Sequence, residues 1–411
     1  MILPRLLLAA IWLTVFAFAD EPDRLEKTGP AALPFSVPPA AVSTLIDDQK
    51  TALAGAASAD ELEQLENAGN MAKASEARRA PIVTVVDKPQ ASPSGDAHDY
   101  VSYARYYWPD PTKPDGLPYI SHDGHHNKEQ VARGDHERLW IFARSVEALA
   151  ADWQAHHDEA SARRAGDWLR AWFVTPATRM NPSLEFAQIR LGHDHNHGNA
   201  TGVLDSRCFS GVIDALSQLH GSPAFAPGDE AAIHAWFKAY LDWLVTAPNA
   251  MGEHAAMNNH GSWFLVQTIA IARYSGRDDL ARKLCEEDKG RIASQIKPDG
   301  SQPEEMRRVD GLGYSVFNLT AQFQIARQAA VLGVDLWNYT APTGASLRRA
   351  LAYLQPYNAR PETWPTTQNA RMHPGFLDSL LAEAKALWPD FATSGTPAER
   401  INHEDTKLDP K

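Results

Sequence analysis

The run Asn258-Asn259-His260, followed by Arg307-Arg308 and then Tyr314, supplies an amide, an imidazole, a guanidinium and a phenol from what read as two neighbouring helices. These types suit one chemistry: taking a proton from the carbon next to a sugar carboxylate and expelling the glycosidic oxygen. The C-5 proton of a uronate is too weakly acidic to leave unaided, so a group that binds the carboxylate must stabilise the charge that builds up there. A His or Tyr then takes the proton, and a Tyr can return one to the leaving oxygen. Singly, the same residues have plainer explanations. Asn258 could cap a helix with His260 satisfied in the core, the arginines could partner Glu304 and Glu305 on a solvated face, and Tyr314 could be core.

Two loops offer sugar contacts. Residues 87–128 are rich in Pro, Gly, Asp and Tyr without a sustained period, and read as a long ordered loop with short strands. Within them Tyr106, Tyr107 and Trp108, flanked by Asp and Gly, can stack on sugar rings or pin the loop to the helices. The second runs from Asn181-Pro182 through Gln188 to Gly192-His193-Asp194-His195-Asn196-His197-Gly198-Asn199. Its His and Asp spacing is not a familiar zinc pattern, in which two ligands sit a turn apart on a helix. A polar loop at a cleft rim fits better, with His195 and His197 placed to meet a substrate carboxylate. No metal and no cofactor is expected.

Helices must position these groups. Apolar residues recur at helical spacing in Leu139–Leu149, Trp168–Trp172, Ile233–Leu244, Trp263–Ile271 and Phe317–Leu332. Thr175-Pro176, Ala247-Pro248 and Lys297-Pro298-Asp299-Gly300 read as helix stops. Val42–Asn67 is a further helix candidate, and Pro81–Val86 is the one fair strand candidate. Successive helix pairs with long loops at one end suggest an α/α toroid, although helical pattern alone leaves an irregular bundle open.

The start of the chain has the layout of a cleaved secretory signal: Arg5, an apolar run from Leu6 to Phe16, then Ala17-Phe18-Ala19 before an acidic stretch. That predicts a periplasmic or secreted protein, with no membrane contact after cleavage. The net charge of −12 argues against nucleic acid, whose phosphates need clustered Lys and Arg. It does not exclude a polyanionic sugar, because a cleft can be locally basic on an acidic protein. Cys208 and Cys285 are the two cysteines; export permits a disulfide, and two buried thiols are the other reading.

Several ordered motifs resemble the alginate lyase family of secreted uronate-polysaccharide lyases, over roughly residues 93 to 340. They are Ser94-Gly95-Asp96 with His98-Asp99-Tyr100, Tyr107-Trp108-Pro109-Asp110-Pro111 with Asp115-Gly116-Leu117-Pro118-Tyr119, Asn181-Pro182 to Gln188, Asn258 to Trp263, and Pro303 to Arg308 leading to Tyr314-Ser315. The resemblance implies an α/α toroid with a tunnel-like cleft and metal-independent β-elimination. By it, Asn259 binds the uronate carboxylate, His260 is a base or neutralising group, and Tyr314 transfers the proton. Counting forward from Glu305 selects Arg308 for the carboxylate; counting back from Tyr314 in some relatives selects Arg307, and Arg308 is preferred. The His-rich loop stands where many alginate-specific relatives carry Gly and Arg, which brings mannuronan and glucuronan forward as substrates.

The expectation is thus an all-α toroid: a signal at 1–19, a leader at 20–86, the lyase domain at 87–390 and a tail at 391–411. Its catalytic set is Tyr314, His260, Asn259 and Arg308. Its substrate contacts are Tyr106, Tyr107, Trp108, Gln188, His195, His197, Asn258 and Arg307. Arg308 and a protonated His260 are expected to lower the Tyr314 pKa. Two rivals stand beside it. An inverting hydrolase would need two facing carboxylic acids from Asp96, Asp194 and Glu305. A non-catalytic uronate-binding protein would not need Tyr314.

Overall fold

The computed structural model describes residues 59–366 and 372–391. The expected signal, most of the Val42–Asn67 helix and nearly all of the tail lie outside these residues. The first helix, α1 (Ala59–Arg79), runs past the expected end at Asn67. Its Arg78 bonds Asp152 at 3.3 Å, Ser161 at 3.0 Å and also Asp158. These contacts tie the leader segment to the helices that follow.

Residues 81–86 are not a strand. The chain turns at Val85–Asp87, where the Thr84 N–H donates to the Asp87 carboxylate at 2.8 Å. The Val83 carbonyl accepts from Trp172 Nε1 at 2.8 Å. Alternating Val residues looked like a strand face, but a local cap and a tryptophan take up polar groups that a ladder would have used.

The long loop carries β1 (Val101–Tyr103), β2 (Tyr107–Trp108) and β3 (Ile120–Ser121). Then come α2 (Lys128–Ala132), α3 (His136–His156), α4 (Glu159–Leu169) and β4 (Phe186–Ile189). The remaining helices are α5 (Phe209–Leu219), α6 (Asp229–Leu244), α7 (Pro248–His254), α8 (Asn259–Tyr274), α9 (Asp278–Gln295), α10 (Pro303–Met306), α11 (Gly311–Val331), α12 (Leu347–Leu354) and α13 (Asp378–Leu387). β1 pairs in parallel with β4, and β2 pairs antiparallel with β3, Tyr107 opposite Ser121. The loop is therefore ordered by two short ladders, one of which fastens it to the segment bearing Gln188.

Neighbouring helices pack in sequence: α3 on α4 and α5, α8 on α9 and α11, α11 on α12. The fold is an α/α toroid. α8 also touches α5, α6 and α7. Its sequence explains this central place, because Trp263, Phe264, Leu265, Val266, Ile269 and Ile271 cover almost its whole circumference and all are buried. Each such side chain contributes about 1.5–3 kcal/mol when withdrawn from water. The stop after α9 depends on Gly300: its φ is +94°, and a Cβ there would meet the Arg349 carbonyl oxygen at 2.1 Å. Cys208 and Cys285 are free and buried.

Candidate active site

Three helix starts converge. Asn258 caps α8, its side chain accepting the His260 N–H at 3.1 Å. This puts Asn259 and His260 in the first turn. The short α10 presents Glu305 and ends at Arg307-Arg308. Asp310 caps α11, accepting from the Gly313 N–H, and Tyr314 follows within the first turn. Pro303 opens α10 in the position where a missing N–H costs nothing.

Asn259 is buried and held by Glu305, whose two carboxylate oxygens accept the Asn259 backbone N–H and Nδ2–H, both at 2.6 Å. The amide is thereby oriented, and its Oδ1 has no protein partner. Burial raises the Glu305 pKa, and the two Asn259 donors pull it part of the way back. His260 Nδ1 lies 2.7 Å from Glu253 Oε1. A carboxylate partner assigns the proton to Nδ1 and leaves Nε2 for a substrate. Burial draws the imidazole pKa down, but the Glu253 charge and hydrogen bond, with Glu305 beyond, outweigh it, so His260 sits above its ordinary value. It therefore holds its proton more firmly than free histidine, and less of it is neutral and free to accept one.

Arg308 donates from Nε to Asp123 at 3.0 Å and from Nη2 to the second Asp123 oxygen, a bidentate pair. The same Nη2 donates to Tyr314 OH at 2.8 Å, and the guanidinium carbon stands 3.8 Å from the Tyr314 ring centroid. Burial draws Arg308 down, and its partners, Asp123 foremost, raise it further, so it stays charged. Tyr314 OH also lies 2.9 Å from Tyr106 OH.

One expectation fails here. Burial pushes the Tyr314 phenol well above its ordinary value, Tyr106 adds to the rise, and Arg308 only partly opposes it. The resting phenol is neutral. Arg308 has the expected sign, but burying an anion costs more than one guanidinium, already shared with Asp123, returns.

The structure brings Tyr314, Arg308 and Tyr106 into direct contact, and it sets His260 on Glu253 and Asn259 on Glu305, whose charge also bears on His260 and Arg308. The two arginines part company sterically. The Arg307 side chain is 70 % exposed and pairs with Glu304 at 2.7 Å, off the cluster. The Asn258 side chain is spent on its cap. Trp108 donates to the His125 carbonyl at 3.0 Å, and Tyr107 meets His193 edge-on with centroids 5.9 Å apart. Gln188 has φ +51°, donates from Nε2 to Asp205 at 2.8 Å and from its backbone N–H to Ser102 at 2.7 Å. His197 stacks on Phe186 at 5.6 Å. His195 is exposed, in a left-handed turn with Asp194 and Asn196. No described contact joins Gln188, His195 or His197 to Tyr314.

Sequence reasoning missed Glu253 and the roles of Asp123 and Asp205. Glu253 precedes His260 by seven residues across the break between α7 and α8, so no helical period connects them. Asp123 was visible only as one of several loop aspartates. The carboxylates a hydrolase would need are engaged elsewhere: Glu305 by Asn259, Asp194 by Arg190 at 2.5 Å, Asp96 by Asn181 at 2.9 Å. Among the described residues, no group of three or more His, Cys, Asp or Glu is arranged to hold a metal.

An all-α toroid whose helix starts gather an amide, an imidazole, a guanidinium and a phenol defines a class, the toroidal polysaccharide lyases. The sequence model of the alginate lyase family matches residues 84–364, and this chain belongs to that family. The crystal structure of an alginate lyase from Bacteroides ovatus is 34% identical, with a TM-score of 0.77 over 85% of this chain and 91% of that one. Alginate lyase A1-III from Sphingomonas species A1, 15% identical with a TM-score of 0.50 over 77% and 86%, shares the fold. No curated protein sequence matches the chain. The protein is a polysaccharide lyase acting on polyuronates.

Proposed function

We propose that this lyase cleaves mannuronan or glucuronan, polymers whose H-5 and O-4 lie on the same face of the ring, with Tyr314 as the single proton carrier and without a metal. The observation that carries the reading is the Tyr314 hydroxyl held between Arg308 at 2.8 Å and Tyr106 at 2.9 Å. A phenolate formed there is stabilised by one charged and one neutral donor. It takes H-5, and the C5–H electrons become charge on the carboxylate. Asn259, Arg308 and the cationic His260 stabilise that charge. The C4–O4 bond then breaks as the C4–C5 double bond forms, and Tyr314 gives its proton to O-4. On this reading His260 neutralises rather than abstracts, in keeping with its raised pKa. Tyr106, Tyr107 and Trp108 supply ring contacts, and His195 and His197 lie on the rim loop. The basic, apolar and small-residue run of Met1–Ala19 supports export to the periplasm or medium.

The test is the initial rate of double-bond absorbance on polymannuronate, glucuronan and polyguluronate. The wild type should cleave at least one of the first two and act poorly on the third. Tyr314→Phe should abolish turnover on all, and His260→Ala should cost about 10- to 100-fold less than Tyr314→Phe. Rapid polyguluronate cleavage that disappears in His260→Ala would make His260 the base.

A further inference from the structure

Beneath the reacting groups lies a buried chain of amides that the chemistry itself does not use. The Asn258 carbonyl, one residue before Asn259, accepts from Gln295 Nε2 at 3.2 Å. The Ser315 carbonyl, one residue after Tyr314, accepts from Gln302 Nε2 at 3.0 Å. The two glutamine side-chain oxygens meet on one nitrogen: Asn318 Nδ2 donates to Gln295 Oε1 at 3.0 Å and to Gln302 Oε1 at 2.8 Å. Gln295 Oε1 also accepts from Ser262 at 3.1 Å, one turn into α8. Asn318, Gln295, Gln302 and Ser262 are all at most 3 % exposed.

The bridge touches every segment of the site. Its first end fixes the start of α8, with Asn259 and His260. Its other end fixes the start of α11, with Tyr314. Gln302 also stands at the start of α10, where its backbone carbonyl accepts the N–H groups of Glu305 at 3.1 Å and Met306 at 3.0 Å, and that helix carries Glu305 and leads to Arg308. The Asn258 carbonyl already accepts a helical bond from the Ser262 N–H at 3.3 Å, so Gln295 is not needed to satisfy it. Apolar side chains of similar volume would hold α8 and α11 together, but dispersion contacts have no direction. A continuous run of buried hydrogen bonds sets both distance and orientation. We propose that Asn318 is a positioning residue. Through Gln295 and Gln302 it sets the mutual placement of the Asn259–His260, Glu305–Arg308 and Tyr314 segments. The inference rests on the mechanism above for the meaning of that placement.

The test uses the full chain with Asn318→Asp and Gln302→Leu. In Asn318→Asp the ionised carboxylate would face two glutamine oxygens, whereas the protonated form keeps one donor. In both variants kcat should fall about 10- to 100-fold, as misplacement of reacting groups does, with KM within about threefold. The kcat of Asn318→Asp relative to wild type should recover as pH is lowered from about 8 to about 5. A ring-carbon-labelled tyrosine resonance, assigned to Tyr314 by its loss in Tyr314→Phe, should shift in both variants. It reads the placement even if the substrate assignment fails. Wild-type kcat and an unmoved Tyr314 resonance in both variants would overturn the bridge; so would a loss of turnover that tracks thermal stability with no pH recovery. A wild type inactive on every polyuronate would instead overturn the mechanism.

Discussion

Arg308 meets three demands with one planar group: it pairs with Asp123, donates to the Tyr314 hydroxyl and lies against the Tyr314 ring. A lysine could not keep the bidentate pair and the third bond together. Arg308→Ala should therefore lower kcat/KM by about 100-fold or more, as loss of a fixed charge stabiliser does. Arg307→Ala, which removes an exposed surface pair, should stay within about threefold. Parallel kinetics on both variants decide between them, and the opposite order would reassign the carboxylate contact. The pH profile follows from the raised Tyr314 pKa. Because the resting phenol is neutral, the phenolate fraction grows with pH, so kcat should climb by up to about tenfold per pH unit through the neutral range. The rise should flatten as His260, itself raised, loses its charge. A kcat that falls steadily above neutrality would contradict Tyr314 as base. At this scale type and spacing brought forward Asn259, His260, the Arg307-Arg308 pair and Tyr314 as candidates, and the family resemblance preferred Arg308. The Tyr106 contact was not, because 208 residues separate the two phenols and only the fold brings them together.

Helices were legible where apolar residues recurred at helical spacing. The runs at 233–244, 263–271 and 317–332 lie within α6, α8 and at α11, the last ending one residue beyond it. Pro81–Val86 was misread because alternation is also what a short extended segment shows when Val85 is buried and Trp172 binds its backbone. Periodicity also says nothing about polar residues on buried faces, such as Asn318, Gln322 and Asp288. Asp288 is wholly buried, and burial lifts its pKa to about 7, partly opposed by Arg291 and Gln322. An unfolded aspartate ionises near pH 3.9, so between that pH and about 7 the folded chain holds one more proton than the unfolded one. Folding stability from this group therefore falls as pH rises through that window and stays lower above it. Asp288→Asn, which can still accept from Gln322, should raise the thermal midpoint more at pH 8 than at pH 4. The difference should be on the order of 4 kcal/mol in stability. An equal effect at both pH values would mean that Asp288 is charged in the folded protein.

The whole molecule carries a net charge of −12 yet acts on a polyanion. In the proposed mechanism the cations that meet it are Arg308 and His260, each oriented by an acidic partner, Asp123 or Glu253. Because protein cations take the place of a metal in this account, prolonged dialysis against a chelator should leave the rate unchanged. A loss restored by one divalent ion would bring the His193–His197 loop back as a metal site. β-Elimination leaves its mark in the product. Polymannuronate or glucuronan digested by the full-length protein should yield oligosaccharides whose new non-reducing end carries a C4–C5 double bond. Mass spectrometry should find them one water lighter than hydrolysis products, with matching ultraviolet absorbance, and Tyr314→Phe should form none. Saturated products from the wild type, with no absorbance gained as chains shorten, would contradict the account.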